Sequence, residues 1–190
     1  MTQILRPAIT LLVLFTGVLG LVYPLAIWGI GQLVLPTQAN GSLVYREGTI
    51  LGSKLVGQNF TSDIYFWPRP SATAETPYNA AASSGTNLGP TSAKLKSMIE
   101  LEVEKLTKTG IPKPVPADGA THSGSGLDPE ISPDYARLQI PRVAKARGLA
   151  EARLYEMLDK HIEGRFLGVF GEPRVNVLLL NLGLDAEQPA

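Results

Sequence analysis

The chain has 190 residues, with 17 basic and 17 acidic side chains and no cysteine. That length suits one ordinary domain, and the balanced charge leaves no basic field to attract nucleic acid. Absent cysteine excludes disulfides, thiolate nucleophiles, iron–sulfur clusters and cysteine-ligated zinc, and two histidines, His122 and His161, are too few for a histidine-rich metal site.

No charged residue occurs between Arg6 and Arg46. Within that gap, residues 8–35 are almost unbroken apolar sequence. A helix over this stretch reaches about 42 Å at 1.5 Å per residue, against a hydrocarbon core of about 30 Å. A signal-peptide core is usually about 7–15 residues, so the segment reads as an uncleaved membrane anchor. Cleavage after Thr37-Gln38-Ala39 is the alternative. Thr16, Gly20 and Pro24 recur every four residues, a spacing that lets another membrane helix approach closely. The short head with Arg6 and the signal-like layout favour a cytoplasmic N-terminus. The expected organisation is a cytoplasmic head (1–7), a transmembrane anchor helix (8–35) and an extracytoplasmic α+β domain (36–190).

In the body, Ser42–Tyr45 and Thr49–Val56 read as two short strands joined through Arg46-Glu47-Gly48, with a glycine bulge. Thr91 or Ser92 caps a helix running to about Lys108. Its apolar stripe is Leu95, Ile99, Val103 and Leu106, and Gly110 stops it. Ile111–Pro116 is extended, and Asp118–Gly126 is rich in glycine and serine. Ser132-Pro133 starts a helix that Pro141 should end or kink, with a further turn closing at Gly148. Glu151–Ile162 is another helix, apolar at Leu154, Leu158 and Ile162. Arg174–Leu184 is apolar on both faces and reads as a central, covered strand. The class is α+β, behind a single N-terminal transmembrane helix.

Catalytic and metal-binding motifs are not expected. No G-x-x-x-x-G-K-[ST] loop is present to cradle phosphate. Asp159-Lys160 lacks the Thr-Gly-Thr that a phosphorylated P-type ATPase subunit needs. Ser83 and Ser84 could meet a histidine, but no G-x-S-x-G elbow surrounds either. Asp128, Glu130 and Asp134 lack the spacing of a calcium loop and suit helix capping better. Ser123-Gly124-Ser125-Gly126 is the best anion-nest candidate, with a flexible connector as its plainer reading. Tyr65-Phe66-Trp67 reads as core burial or an interface anchor.

Several blocks read together point further. They include Gly52–Phe60, Arg69–Ala72, Pro77–Asn79, Ser83–Pro90, Ser125–Pro129, Gln139–Arg147 and Gly171–Val177 followed by Leu180-Asn181-Leu182. Behind one N-terminal anchor, this array closely resembles the C-subunit (KdpC) family of the bacterial Kdp potassium-transporting P-type ATPase. The resemblance covers nearly the whole chain. It implies a non-catalytic accessory subunit in the bacterial inner membrane. The implied companions are a channel-like potassium-binding subunit (KdpA), a P-type ATPase subunit (KdpB), a small single-helix peptide (KdpF) and membrane lipid. ATP and potassium would be handled by the complex, and no firmly bound cofactor is implied.

The family role is called catalytic chaperone: assembly, and raised nucleotide affinity of the pump subunit. The nucleotide contact it implies falls on Gln139, with Ser123, Gly124, Ser125 and Gly126 nearby in sequence. The anchor reading places Gln139 outside, where ATP is scarce, and favours a structural and regulatory role, with Gln139 on a helix surface or in a core hydrogen bond. Expected interface residues are Thr16 and Gly20 in the anchor and Ser83, Ser84, Gly85, Asn87, Leu127 and Asp128 in the loops. The competing class is a tethered extracytoplasmic enzyme or ligand-binding module independent of any pump.

Overall fold

The structure, a computed structural model, describes residues 2–187. The outer limits of the expected head and body, Met1 and residues 188–190, lie outside the described residues. The chain divides into two compact units, one up to Leu51 and one from Gly52 onward.

The first unit is the apolar helix. It runs as α1 (Thr2–Gly17), a π-helical turn (Val18–Val22) and α2 (Tyr23–Val34), followed by one turn, α3 (Pro36–Ala39). The stretch Gln3–Val34 is long and apolar enough to cross a membrane, and its apolar window is not buried. It begins before Pro7 rather than at Ala8. The π turn has a local cause. Pro24 lacks an N–H, and its ring would press on the carbonyl four residues back in a regular helix. The bond from Tyr23 N instead reaches Val18 O, five residues back. That widened turn shifts Thr16, Gly20 and Pro24 out of a straight row. Leu35 leaves the helix at φ −133°, as the residue before a proline tends to do. Gln32 and Asn40 exchange side-chain hydrogen bonds at this end. Beyond it, β1 (Leu43–Arg46) and β2 (Thr49–Ser53) form a hairpin. Its turn is Glu47-Gly48, both at positive φ. This is a two-residue turn of the primed type, without the expected bulge.

The second unit packs three helices around a short antiparallel sheet. Ser92 caps α4 (Ala93–Lys108) through Leu95 N, and Gly110 at φ 93° follows its end. A single turn, α5 (Ala117–Ala120), interrupts the segment read as irregular. The sheet is β3 (Glu130–Ile131), β4 (Ile162–Glu163) and β5 (Arg174–Asn176), with β5 in the middle. Val175 faces Ile131 on one side and Ile162 on the other. On it pack α6 (Pro133–Arg147), α7 (Glu151–His161) and α8 (Val177–Glu187). The core contains Phe66, Tyr135, Ile140, Val143, Leu154, Leu158, Val175, Leu180 and Leu184.

Two sequence expectations are corrected. Residues 174–184 are not one strand: β5 lasts three residues and the chain then turns helical. Asn176 accepts from Leu179 N at 3.1 Å and so caps α8. The run is apolar on all sides because α8 is largely buried, and periodicity alone does not separate such a helix from a covered strand. Pro141 does not end α6, which continues to Gly148 at φ 67°. Pro141 removes the helical partner of the Arg137 carbonyl, and both residues are exposed, on the side of the helix where solvent can compensate. The N-terminus of α6 is as expected: Ser132 Oγ accepts from Tyr135 N, and Pro133 occupies the first turn. Asp118 holds that cap, accepting from Ser132 N at 2.6 Å and Ser132 Oγ at 3.0 Å.

Candidate functional site

Residues 54–92 contain almost no regular structure, yet Phe66 is fully buried. Buried backbone polar groups need partners, and here side chains from α6 and α8 supply them. Asn181 on α8 accepts from Phe66 N at 2.8 Å and donates to Phe66 O at 2.9 Å. Gln139 on α6 does the same for the next residue, accepting from Trp67 N at 2.7 Å and donating to Trp67 O at 3.1 Å. Each amide imitates a neighbouring strand. Arg142 donates to Asp63 O, Tyr65 O and Gln139 Oε1. Its guanidinium lies 3.7 Å over the Trp67 ring, and its Nε is buried without a hydrogen-bond partner. The ring face stabilises the charge there. Burial pulls the Arg142 pKa down to about 10, opposed by Asp63, so it remains charged at neutral pH. Arg147 donates to Ile64 O at 2.7 Å and pairs with Asp185 at 2.6 Å. Asp185 also accepts from the Tyr65 hydroxyl at 3.0 Å, so the strap 63–67 is held by five side chains from two helices.

Gln139 is 0% exposed. Both ends of its amide are occupied by protein. The Ser123–Gly126 loop lies elsewhere, and Gln139 lines neither cavity beside it.

The two glycine–serine blocks, by contrast, meet. Ser125 O accepts from both Ser84 N and Ser83 Oγ at 3.0 Å. Ser84 Oγ donates to Ala72 O, and Ser71 Oγ donates to Gly126 O. Glycine is required by the approach of the chains: a Cβ on Gly85 would sit 2.8 Å from Gly124 O. Gly126 has φ +68°, and a Cβ there would sit 2.8 Å from Ser84 O. Within the loop, Gly126 N donates to Ser123 Oγ and Leu127 N to Ser125 Oγ. Those amides are consumed by the loop itself, which leaves a poorer anion nest than the sequence suggests.

Beneath the junction, Arg69 pairs with Asp128 at 2.7 Å and reaches the carbonyls of Thr121 and His122. An open groove of about 530 Å³ runs over Ser123–Ser125, Leu127–Pro129, Arg69 and Val56. A smaller cavity of about 230 Å³ adjoins it, lined by Trp67, Tyr78, Glu102, His122 and Tyr135 among others. Burial lowers the His122 pKa, with Arg69 adding to the effect against Glu102, so its ring is neutral at pH 7.

The remaining candidates are placed as follows. Ser83 and Ser84 spend their hydroxyl protons on backbone carbonyls, not on a histidine. Asn87 is exposed at φ 53°. Leu127 O accepts from Gly57 N, and Asp128 Oδ1 from Glu130 N. Glu130 pairs with Arg174, and Asp134 pairs with Arg137 in the first turn of α6. Thr16 and Gly20 are exposed on the separate anchor unit. Among the described residues, no group of three or more histidine or carboxylate side chains is arranged to hold a metal ion.

Arg142, Arg147, Asn181 and Asp185 were not singled out as site residues. Asn181 carried a signal: a lone amide inside the apolar run 177–184 has to find a buried partner. The arginines carried none, because their targets are backbone carbonyls.

The loop junction yields a direct test. Gly85→Val should destabilise the body by about 1–3 kcal/mol, since the obstacle is backbone that cannot rotate away. Gly89→Val, with open space around its position, should change the thermal midpoint far less.

Comparison with known proteins places this arrangement. Residues 5–186 match the family model described as K+-transporting ATPase, c chain. A protein of Allorhizobium ampelinum named Potassium-transporting ATPase KdpC subunit is 57% identical over 96% of this chain and 95% of its own length. Proteins of the same name from Rhodopseudomonas palustris and Methylobacterium nodulans are each 50% identical, over 98% and 97% of this chain and 98% of their own length. The chain belongs to the KdpC family of potassium-transporting ATPase subunits.

Proposed function

We propose that this chain is the accessory subunit of a high-affinity, ATP-driven potassium uptake complex in the bacterial inner membrane. Its helix 3–34 anchors it with the N-terminus in the cytoplasm, and the α+β body lies outside. Its companions are the channel-like KdpA, the P-type pump subunit KdpB, the small KdpF and membrane lipid. They handle ATP and potassium, while this chain supports assembly and the ATP-dependent activity of the pump subunit without catalysing a step itself.

The observation that carries this reading is that the polar groups at both candidate nucleotide contacts are already engaged within the body. Gln139 gives both ends of its amide to Trp67, Ser83 and Ser84 donate their hydroxyls to Ser125 O and Ala72 O, and two amides of the segment 123–127 are taken by its own serine hydroxyls. Such an interior suits a rigid scaffold. Nucleotide affinity is then raised through assembly rather than by contact at Gln139 or Ser123–Gly126. Thr16 and Gly20 pack against a pump helix. The loops with Ser83, Ser84, Gly85, Asn87, Leu127 and Asp128 face the outer mouth of the potassium-binding subunit, where loops on a rigid base commonly form binding surfaces.

The test compares the full chain with a version ending after Asn40, each co-expressed with the other subunits. Loss of intact complex with the short version is the expected result. Normal assembly and normal uptake with the anchor alone would refute the scaffold role. A reporter active only outside the cytoplasm, fused after Ala190, should be on.

A further inference from the structure

Between β4 and β5 the chain runs out as a hairpin with an apolar tip. Phe166, Leu167, Val169 and Phe170 are 70, 76, 70 and 63% exposed, whereas Val175 of the same hairpin is 0% exposed. Aromatic side chains carry about 150–250 Å² each. The tip therefore ranks with the largest apolar patches of monomeric proteins, about 300–600 Å². Its shape is set without any cover. Phe166 and Phe170 bond each other's backbones in both directions, and Gly168 N donates to Arg165 O with Gly168 and Leu167 at positive φ. A preorganised tip loses little entropy on binding.

Two occupants could cover it: a bilayer surface or another protein. The charges at the rim separate them. Every charged side chain from Glu163 to Arg174 is in an ion pair: Arg165 with Glu172, and Arg174 with Glu130 and Glu163. The segment has no tryptophan or tyrosine and no spare lysine. Membrane-interface loops use unpaired cations for anionic headgroups and tryptophan or tyrosine at the boundary. A neutral rim around an apolar centre matches the anatomy of a protein interface. Because the chain belongs to a family of complex subunits, partner proteins are at hand.

We propose that residues 166–170 form a plug that seats in an uncharged, apolar socket on the outward face of another subunit of the same complex. This rests on the assembly reading above. The plug adds a contact remote in sequence from both the anchor and the glycine–serine loops. Phe166 and Phe170 are its anchors, and the paired arginines and glutamates are the rim that excludes water.

The experiment uses the full chain co-expressed with the other subunits and purified through a tag on this chain. A photo-crosslinking amino acid is placed at Leu167 or Val169, and at exposed Glu156 on α7 as control. The expected result is one covalent adduct with an identified partner subunit, about tenfold or more above the Glu156 control. Phe166→Ser with Phe170→Ser should lower partner recovery about tenfold or more, while the thermal midpoint of the chain itself stays unchanged. Partners that co-purify while the tip probes label only lipid, or nothing, overturn the plug and leave the assembly reading standing. A chain that purifies without partners even with its native tip overturns both.

Discussion

Gln139→Leu lowers the thermal midpoint of the chain by about 5–15 °C. The substitution keeps the volume and removes both polar atoms. Trp67 N and Trp67 O then lose their partners in a part-buried strap, and one Arg142 N–H loses its acceptor. An unsatisfied buried group costs about 1–3 kcal/mol. Two such groups give about 2–6 kcal/mol, and a chain of this size loses roughly 2–4 °C per kcal/mol. Asn181→Leu is expected to cost at least as much, because its exchange with Phe66 is fully buried. Gln139→Glu falls between: it still accepts from Trp67 N and gains attraction from Arg142, but sets an oxygen against Trp67 O. The parallel between Gln139 and Asn181 is the discriminating readout. A nucleotide contact at Gln139 would make Gln139→Leu raise the KM for ATP of the assembled complex while leaving melting unchanged. A clamp moves the melting point and leaves KM unchanged in whatever complex still assembles.

The same pair of residues shows what the sequence could convey. Elements whose cause is local were legible. Examples are the apolar anchor, the Ser92 and Ser132 caps and the Gly110 and Gly148 stops. Each depends on residues within a few positions of one another. What escaped depends on contacts far along the chain. Burial of Tyr65-Phe66-Trp67 is one of two readings the sequence allows, and Phe66 is indeed buried. How the strap is held was not legible, because its hydrogen-bond partners lie on α6 and α8, more than seventy positions away. The helix 177–187 resembles a strand because its polar face is missing. It is missing because the helix is enclosed by α7 and β5. Pro141 reads as a break, but a proline costs less where the orphaned carbonyl faces water. The Phe166–Phe170 tip was passed over because an apolar run on its own suggests burial, and only the fold shows it standing outside.

Arg147→Met is expected to be the most damaging single change in the body, at about 3–5 kcal/mol. The Arg147 side chain is 4% exposed and Asp185 16%, with 2.6 Å between Nη2 and Oδ1. Asp185 Oδ2 accepts from the Tyr65 hydroxyl at 3.0 Å, and the Arg147 guanidinium lies 5.1 Å from the Tyr65 ring centre. Burial raises the Tyr65 pKa, and the bond to Asp185 adds to it, so the phenol stays a donor. Methionine fills much of the space of the arginine stem but removes three functions together: the counter-charge of Asp185, the donor to Ile64 O and the cation beside the ring. Asp185 then keeps the hydrogen bond from the Tyr65 hydroxyl but has no counter-charge within a nearly closed site. An exposed ion pair such as Arg165 with Glu172 is worth only about 0–1 kcal/mol, so Arg165→Met serves as the control. The measurement is denaturant unfolding of the full chain in detergent, followed through Trp67, whose backbone belongs to the strap that Arg147 helps hold. The double change Arg147→Met with Asp185→Leu completes the cycle. Replacing both partners by apolar groups removes the stranded charge and should recover part of the loss. If instead the two single effects simply add, Arg147 acts through Ile64 and the ring alone, and the buried ion pair is not what fastens the strap to α8.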